Sequence, residues 1–218
     1  MAELHPYQLF TDGVPKSDTA LVVVDMQRVF FENEFSLGQA GIDVTPLRAA
    51  IPGTLKLVKA ARAAGIPIIF TRYVYMPGMV DFGKKYGAKA EEREKSQALA
   101  FGTAEIELIP ELEVGPDDIV IDKSRPSAFY GTRIEPVLNG LGVRNLVVCG
   151  VTTNMCVEGT VRDAGQRDYG TFVVEDAVAE FLPERNHYAL FAMAWLFAHV
   201  VKLDTVTRSW AKPLAKAG

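Results

Sequence analysis

The chain has little of what most metal and redox sites are built from: two cysteines and three histidines in 218 residues. Two cysteines make a poor disulfide framework. The opening segment, "MAELHPYQLFTDGVPKSD", has no basic stretch leading into an apolar one. No secretory signal is therefore expected, and the reducing cytoplasm is the expected compartment. Charge of one sign is also scarce. The 23 basic residues face 27 acidic ones, for a net charge of −4, and the run "KAEEREK" at 89–95 is mixed in sign. Nucleic acid and anionic membrane surfaces are not expected partners. No apolar run reaches the roughly 18 residues that a membrane-spanning helix needs.

What is present is apolar and periodic. Hydrophobic residues make up 49% of the chain, ample for a full core. Six short, β-branched runs read as buried strands: 19–27, 66–75, 117–123, 144–150, 171–179 and 200–206. Between them, helical spacing predicts helices over 45–65, with Gly65 as C-cap, and over 133–142, 154–170 and 183–199. The stretch 76–110 is weakly periodic and reads as a long excursion with one helix near 87–97, of a length that in compact domains is often functional. Strands alternating with helices imply an α/β fold: three layers, doubly wound, a six-stranded, mostly parallel sheet with helices on both faces. With no repeat and no break in composition, one domain over 1–218 is expected, its core at about 19–206.

In an open parallel sheet every strand's carboxyl end points to one edge, and ligands bind there. Asp25 ends the first strand, Lys123 follows the third, and Cys156 lies beyond the fourth at the start of a helix. An acid, an amine and a thiol are thus expected on one edge. A helix N-terminus and a nearby ammonium favour a thiolate, and an acid can carry its proton. The turn "GVTTN" (150–154) can aim backbone N–H groups at an oxyanion. Together these groups suit nucleophilic acyl transfer. Each also has a plainer reading. An Asp after a strand is commonly a turn former, a loop Lys is usually solvated, and a Cys among apolar residues is more often core. The C-x6-C spacing of Cys149 and Cys156 is a weak metal signal, since no histidine or further cysteine lies near it.

Three segments, "LVVVDMQRVF" (21–30), "DKSRPSAFYGT" (122–132) and "CGVTTNMCVEGT" (149–160), resemble in this order the signature segments of isochorismatase-like cysteine hydrolases. The resemblance runs from about Thr19 to Val206. It implies the Rossmann-like fold of that superfamily, with Asp25 as catalytic acid/base, Lys123 as catalytic lysine and Cys156 as nucleophile. It further implies a cis bond between Val151 and Thr152, and an oxyanion hole from the backbone N–H groups of Thr152 and Cys156. Cys149 then reads as a packed core thiol.

Members that cleave isochorismate, a vinyl ether, typically lack the cysteine, so Cys156 favours hydrolysis of an amide-type C–N bond. Metal-bearing members carry an Asp-x-His element and a further His. Here the histidines are His5, His187 and His199, none in the long excursion, so no metal and no other cofactor is expected. Within the superfamily the chain looks most like ureidoacrylate amidohydrolases and related N-carbamoyl hydrolases, which implies a small amide or ureido substrate and a homo-oligomer, dimer or tetramer.

Position alone nominates a substrate-binding set: Gln27 and Phe30 after the first strand, Arg72 and Tyr73 ending the second, and Arg125, Phe129 and Tyr130 after Lys123. An Arg can pair a carboxylate, and the aromatics can wall a planar substrate. Surface pairing and core packing are the competing readings. Two other functions stand beside the amidohydrolase: a vinyl-ether hydrolase acting on isochorismate, and a binding protein that kept the fold without the chemistry.

Overall fold

The computed structural model describes residues 7–83 and 95–212. Six strands form one all-parallel sheet: β1 (Thr19–Val24), β2 (Ile68–Tyr73), β3 (Ile119–Lys123), β4 (Asn145–Val151), β5 (Gly170–Ala179) and β6 (His199–Val201). Their order across the sheet is β3-β2-β1-β4-β5-β6. The winding direction therefore reverses between β1 and β4, and this reversal opens a crevice at the carboxyl edge. β1, with every residue buried, sits mid-sheet, Leu21 opposite Ile68 on one side and Val147 on the other. Gly150 allows the close approach of β4 to β1. Its φ is +110°, and a Cβ there would lie 2.1 Å from the carbonyl oxygen of Val24.

After the single turn α1 (Ser36–Gln39), the helices are α2 (Ala50–Ala64), α3 (Ile134–Gly140), α4 (Glu158–Gly165), α5 (Pro183–Leu196) and α6 (Leu203–Ala211). Strand alternation sends Leu21, Val23, Val147 and Cys149 to one face, where Leu57 and Ala61 of α2 and Val206 and Trp210 of α6 cover them. Ala20, Val22, Val24 and Val148 go to the other face, under Leu138 of α3, Val161 of α4 and Met193 of α5. The expected three layers are present.

The expected elements hold with shifts at their ends. Gly65 takes the left-handed conformation at the end of α2, φ 68°. Two readings need correction. The sixth strand was expected at 200–206 but stops at Val201. From Leu203 the chain turns helical, because the Asp176 carboxylate accepts the Leu203 N–H at 2.8 Å and Leu203, Val206 and Trp210 then reach the core at helical spacing. The helix expected at 154–170 begins as a wide turn of π-helical form, Thr153–Val157, and becomes α-helical only over α4; Gly170 starts β5 instead of ending the helix. The helix expected near 87–97 falls mostly outside the described residues. Among the described residues, no helix is long and apolar enough to cross a membrane.

Candidate active site

Asp25 directly follows β1 and turns off the strand with φ 48°, a left-handed conformation that Asp tolerates better than most residues. Thr71 fixes it: its Oγ1 donates to Asp25 Oδ1 at 2.6 Å and receives the Asp25 N–H at 3.2 Å. Lys123 ends β3, which is two strands from β1. Its side chain crosses under β2's end, and Nζ stands 4.4 Å from the centre of the Tyr73 ring. There it donates to Asp25 Oδ2 at 2.6 Å and to the Arg125 carbonyl at 3.1 Å. Both side chains of this ion pair are fully buried. Cys156, on the wide turn after β4, is close enough to Asp25 and Lys123 for both to act on its charge. The structure thus brings the acid, the amine and the thiol of the sequence reading into one cluster.

Electrostatics differ from the expectation at sulfur. Burial pushes the Cys156 thiol well above its ordinary value; Lys123 pulls it down, Asp25 pushes it up again, and the balance is upward. Burial of the cluster thus works against the thiolate that the helix start and the lysine favour, the more so because Lys123 shares its charge with the Asp25 carboxylate. For Lys123, burial pulls the pKa down, but Asp25 and the sulfur outweigh it and the balance is upward, so the ammonium persists.

The turn that carries Cys156 is tied at several points. The Val151–Thr152 bond is cis. The Thr152 carbonyl accepts the N–H groups of Met155 and Val157, each at 3.2 Å. Thr153 Oγ1 donates to Asn186 Oδ1 at 2.6 Å, and Asn154 N–H donates to the buried Glu180 carboxylate at 3.2 Å.

Cys156 and Thr152 open onto a cavity of about 640 Å³ with mainly apolar walls. Of the nominated binding residues, Phe30 and Tyr73 line it. The other five do not. Gln27 is buried behind the wall, where its amide bonds the backbone of Tyr73 and Ile106. Arg72 alternates with Tyr73 and so points to the opposite face of the sheet, pairing with Asp122 and Glu107. Arg125 donates to the carbonyls of Asp81 and Ser124. Phe129 packs on Tyr169 and under the Arg167 guanidinium. Tyr130 is 67% exposed on the outside.

Other lining residues went unnominated. Ser36 and Leu37 come from α1, Ser96 and Leu99 from the excursion, Phe181 and Leu182 from the β5–α5 connection, and Arg185 from the first turn of α5. Arg185 and Glu180 had a usable signal, since both follow a strand at the carboxyl edge. Thr71 had another: a lone polar side chain at an inward position of an apolar strand. Ser36 had none. His187 stands beside Tyr7 and Tyr188, and His199 between Phe10 and Phe172, both away from the cavity. Among the described residues, no three His, Cys, Asp or Glu side chains gather as a metal site would require.

A doubly wound parallel sheet with a buried cysteine, acid and lysine at its switch point defines an α/β cysteine hydrolase. The Isochorismatase domain family model matches residues 19–205, and the chain belongs to that family. It is 34% identical over 212 residues to a ureidoacrylate amidohydrolase, RutB, of Azorhizobium caulinodans, covering 92% of this chain and 93% of that one. It is 38% identical over 199 residues to the RutB of Pseudomonas syringae pv. syringae, covering 86% and 81%. Among solved structures, a cysteine hydrolase from Pseudomonas syringae pv. phaseolicola superposes with a TM-score of 0.81 at 28% identity, covering 96% of this chain and 98% of that one. An N-carbamoylsarcosine amidase from Thermoplasma acidophilum gives 0.65 at 27% identity, covering 85% and 96%. The chain is an enzyme, a hydrolase of non-peptide carbon–nitrogen bonds.

Proposed function

We propose that the chain is a metal-independent cysteine amidohydrolase that cleaves a C–N bond of a small ureido or N-carbamoyl acid through a thioester on Cys156. The observation that carries this reading is the placement of Cys156, lining the cavity and close enough to the Asp25–Lys123 pair for both to act on its charge. The names of the relatives support the ureido class.

In this mechanism the scissile carbonyl oxygen lies toward the backbone N–H groups of Thr152 and Cys156. Asp25 takes the thiol proton while Sγ forms its bond to the carbonyl carbon, which is why a resting thiol suffices. The tetrahedral centre collapses, the C–N bond breaks, and the proton on Asp25 passes to the leaving nitrogen. Water then attacks the thioester; Asp25 accepts its proton and returns it to sulfur as the acyl group departs. Lys123 holds the Asp25 carboxylate through its hydrogen bond and faces the developing negative charge, supplying the positive charge that a metal supplies in other hydrolases. The enzyme works in the reducing cytoplasm, in keeping with two free cysteines.

Arg185 is the one charged side chain that lines the cavity among the described residues, and it suits a substrate carboxylate. The enzyme assembles as a homo-oligomer, dimer or tetramer: Trp195 and Leu196 on α5 are 81% and 75% exposed, with Phe191 stacked on Trp195. A monomer mass by light scattering contradicts this.

A product-release panel tests the function with ureidoacrylate, N-carbamoylsarcosine, N-propylurea, biuret and nicotinamide. Turnover of a ureido acid, faster than that of neutral N-propylurea and unchanged by a chelator, is expected. No turnover of any ureido compound, or loss on chelation restored by zinc or iron, overturns the reading.

A further inference from the structure

Two of the cavity's walls come from segments distant in sequence that belong neither to the sheet nor to the turn bearing Cys156. One is the segment around α1, which contributes Ser36 and Leu37; the other is the end of the excursion, which contributes Ala98 and Leu99. Glu105 touches both. It is buried, in the short turn Ala104–Ile106, and one carboxylate oxygen accepts the Ser36 N–H at 3.1 Å while the other accepts the Leu99 N–H.

The first wall depends on this contact. Among the described residues, the other hydrogen bonds of 35–40 are to near neighbours in the chain: Phe35 to Glu32, Gln39 to Phe35, Ala40 to Ser36, Gly41 to Gly38, Ile42 to Leu37, and the Gln39 side chain to Glu34. The buried Ser36 hydroxyl has no partner. The Ser36 N–H to Glu105 bond is thus the polar tie of this wall to the rest of the molecule. The second wall is also anchored by a backbone pairing of Leu99 and Phe101 with Tyr75.

Glu105 is itself held close to the reacting groups. Gln27, two residues after Asp25, donates to the Ile106 carbonyl at 3.0 Å and also bonds the backbone of Tyr73, whose ring lies against Lys123. Arg28 N–H donates to the Glu107 carbonyl at 2.8 Å, and Ile109 N–H to the Met26 carbonyl at 2.9 Å. The turn bearing Glu105 is therefore fixed to the chain that leaves Asp25, and its two oxygens carry that position outward to both walls.

We propose that Glu105 is a positioning residue: its carboxylate holds the two cavity walls at the separation that fits the non-reacting end of the substrate. The proposal deepens the amidohydrolase reading and rests on it for the substrate class, but its test includes a readout that does not. Glu105→Gln keeps one acceptor oxygen and exchanges the other for an N–H₂ donor, so one wall loses its acceptor. Glu105→Ala releases both.

The first readout is Cys156 alkylation, mapped by peptide mass, with a small reagent (iodoacetamide) and a bulky one (N-phenylmaleimide). Opening the walls favours the bulky reagent. The ratio of bulky to small rates is expected to rise about 10-fold in Glu105→Ala, and less in Glu105→Gln, on the scale of a lost hydrogen bond to a charged group. The second readout is turnover of ureidoacrylate, where KM is expected to rise about 10-fold with kcat changed far less, again at the cost of hydrogen bonds to a charged group. An unchanged ratio, or a fall in kcat with KM unaltered, overturns the proposal. A role confined to stability moves the melting temperature and leaves the ratio alone, which also overturns it. If wild type turns over no ureido compound, the functional reading falls, while the alkylation ratio still decides the role of Glu105.

Discussion

The two faces of the sheet each hold one buried cysteine, and they hold them differently. Cys149, on the face under α2 and α6, sits among Val23, Val147 and Val151, with its sulfur 3.9 Å from the Val22 carbonyl. Burial pushes its thiol up to about 12, with the Thr54 side chain pulling slightly the other way. Cys156, on the opposite side, is pushed up as well. A raised resting pKa therefore does not separate an inert thiol from a reactive one here. What separates them is company and access: Cys156 has a carboxylate in reach to take its proton, an ammonium to face its charge, and a cavity in front of it. Cys149 has apolar side chains and no opening.

The sharpest way to break this contrast is to remove each sulfur in turn. Cys156→Ala should lose about 10⁴-fold or more in kcat, as enzymes do when a nucleophile acting within a unit is removed. Cys149→Ala should keep most activity and lose about 1 kcal/mol or somewhat more of stability, as a small core truncation does. A dead Cys149→Ala and an active Cys156→Ala, measured by product release and thermal melting, would reverse the assignment.

The next test removes the company instead of the sulfur. Asp25→Asn and Lys123→Ala should each lower kcat by ~10²–10⁴-fold. The double mutant should lose far less than the product of the two losses, because the pair acts as a unit. Stability should follow the same logic. Each single change leaves a buried charge unpaired and costs about 3–5 kcal/mol, whereas Asp25→Asn with Lys123→Met removes both charges and costs less. Additive losses in a double-mutant cycle would mean that the three groups are neighbours without being a mechanism.

A smaller effect sharpens the electrostatics. Because Cys156 is raised, its alkylation by iodoacetamide should keep climbing with pH past the ordinary thiol value of about 8.5. Asp25 contributes to that rise, so Asp25→Asn should shift the profile to lower pH. A plateau near neutral pH in the unmutated protein would restore the resting thiolate that the sequence suggested.

The edge on which Asp25, Lys123 and Cys156 stand was legible in the sequence, because parallel strands share a carboxyl edge and apolar runs mark where each strand stops. That Lys123 reaches Asp25 across β2 was not, since strand order does not follow from strand count. The cavity wall was read least well. Arg72 and Tyr73 are adjacent in sequence, yet strand alternation sends one behind the sheet and the other to the site. Arg125 and Tyr130 follow Lys123 closely, and Pro126 between them lines the cavity, but the Arg125 guanidinium bonds the Asp81 and Ser124 carbonyls and Tyr130 is exposed on the outside. Ser36, Leu99 and Arg185 reach the cavity from segments held by a few tertiary contacts, among them the Glu105 clamp, the Leu99–Tyr75 pairing and the bonds of Arg185 to Asn154 and Glu180. Such contacts leave no periodic trace. The upward push on the Cys156 thiol was not legible for a related reason: burial of the whole cluster is a property of the packed state.

The central claim is that Cys156, and not Cys149, carries the reaction, and it meets its most direct test in a labelling titration. Protein is alkylated at raised pH with substoichiometric to excess iodoacetamide, label on each cysteine is quantified by peptide mass, and residual turnover is measured on the best substrate of the panel. The account predicts that activity falls in proportion to label on Cys156, reaches zero at one equivalent there, and is protected by substrate. Activity that survives full alkylation of Cys156, or that tracks label on Cys149, would contradict it.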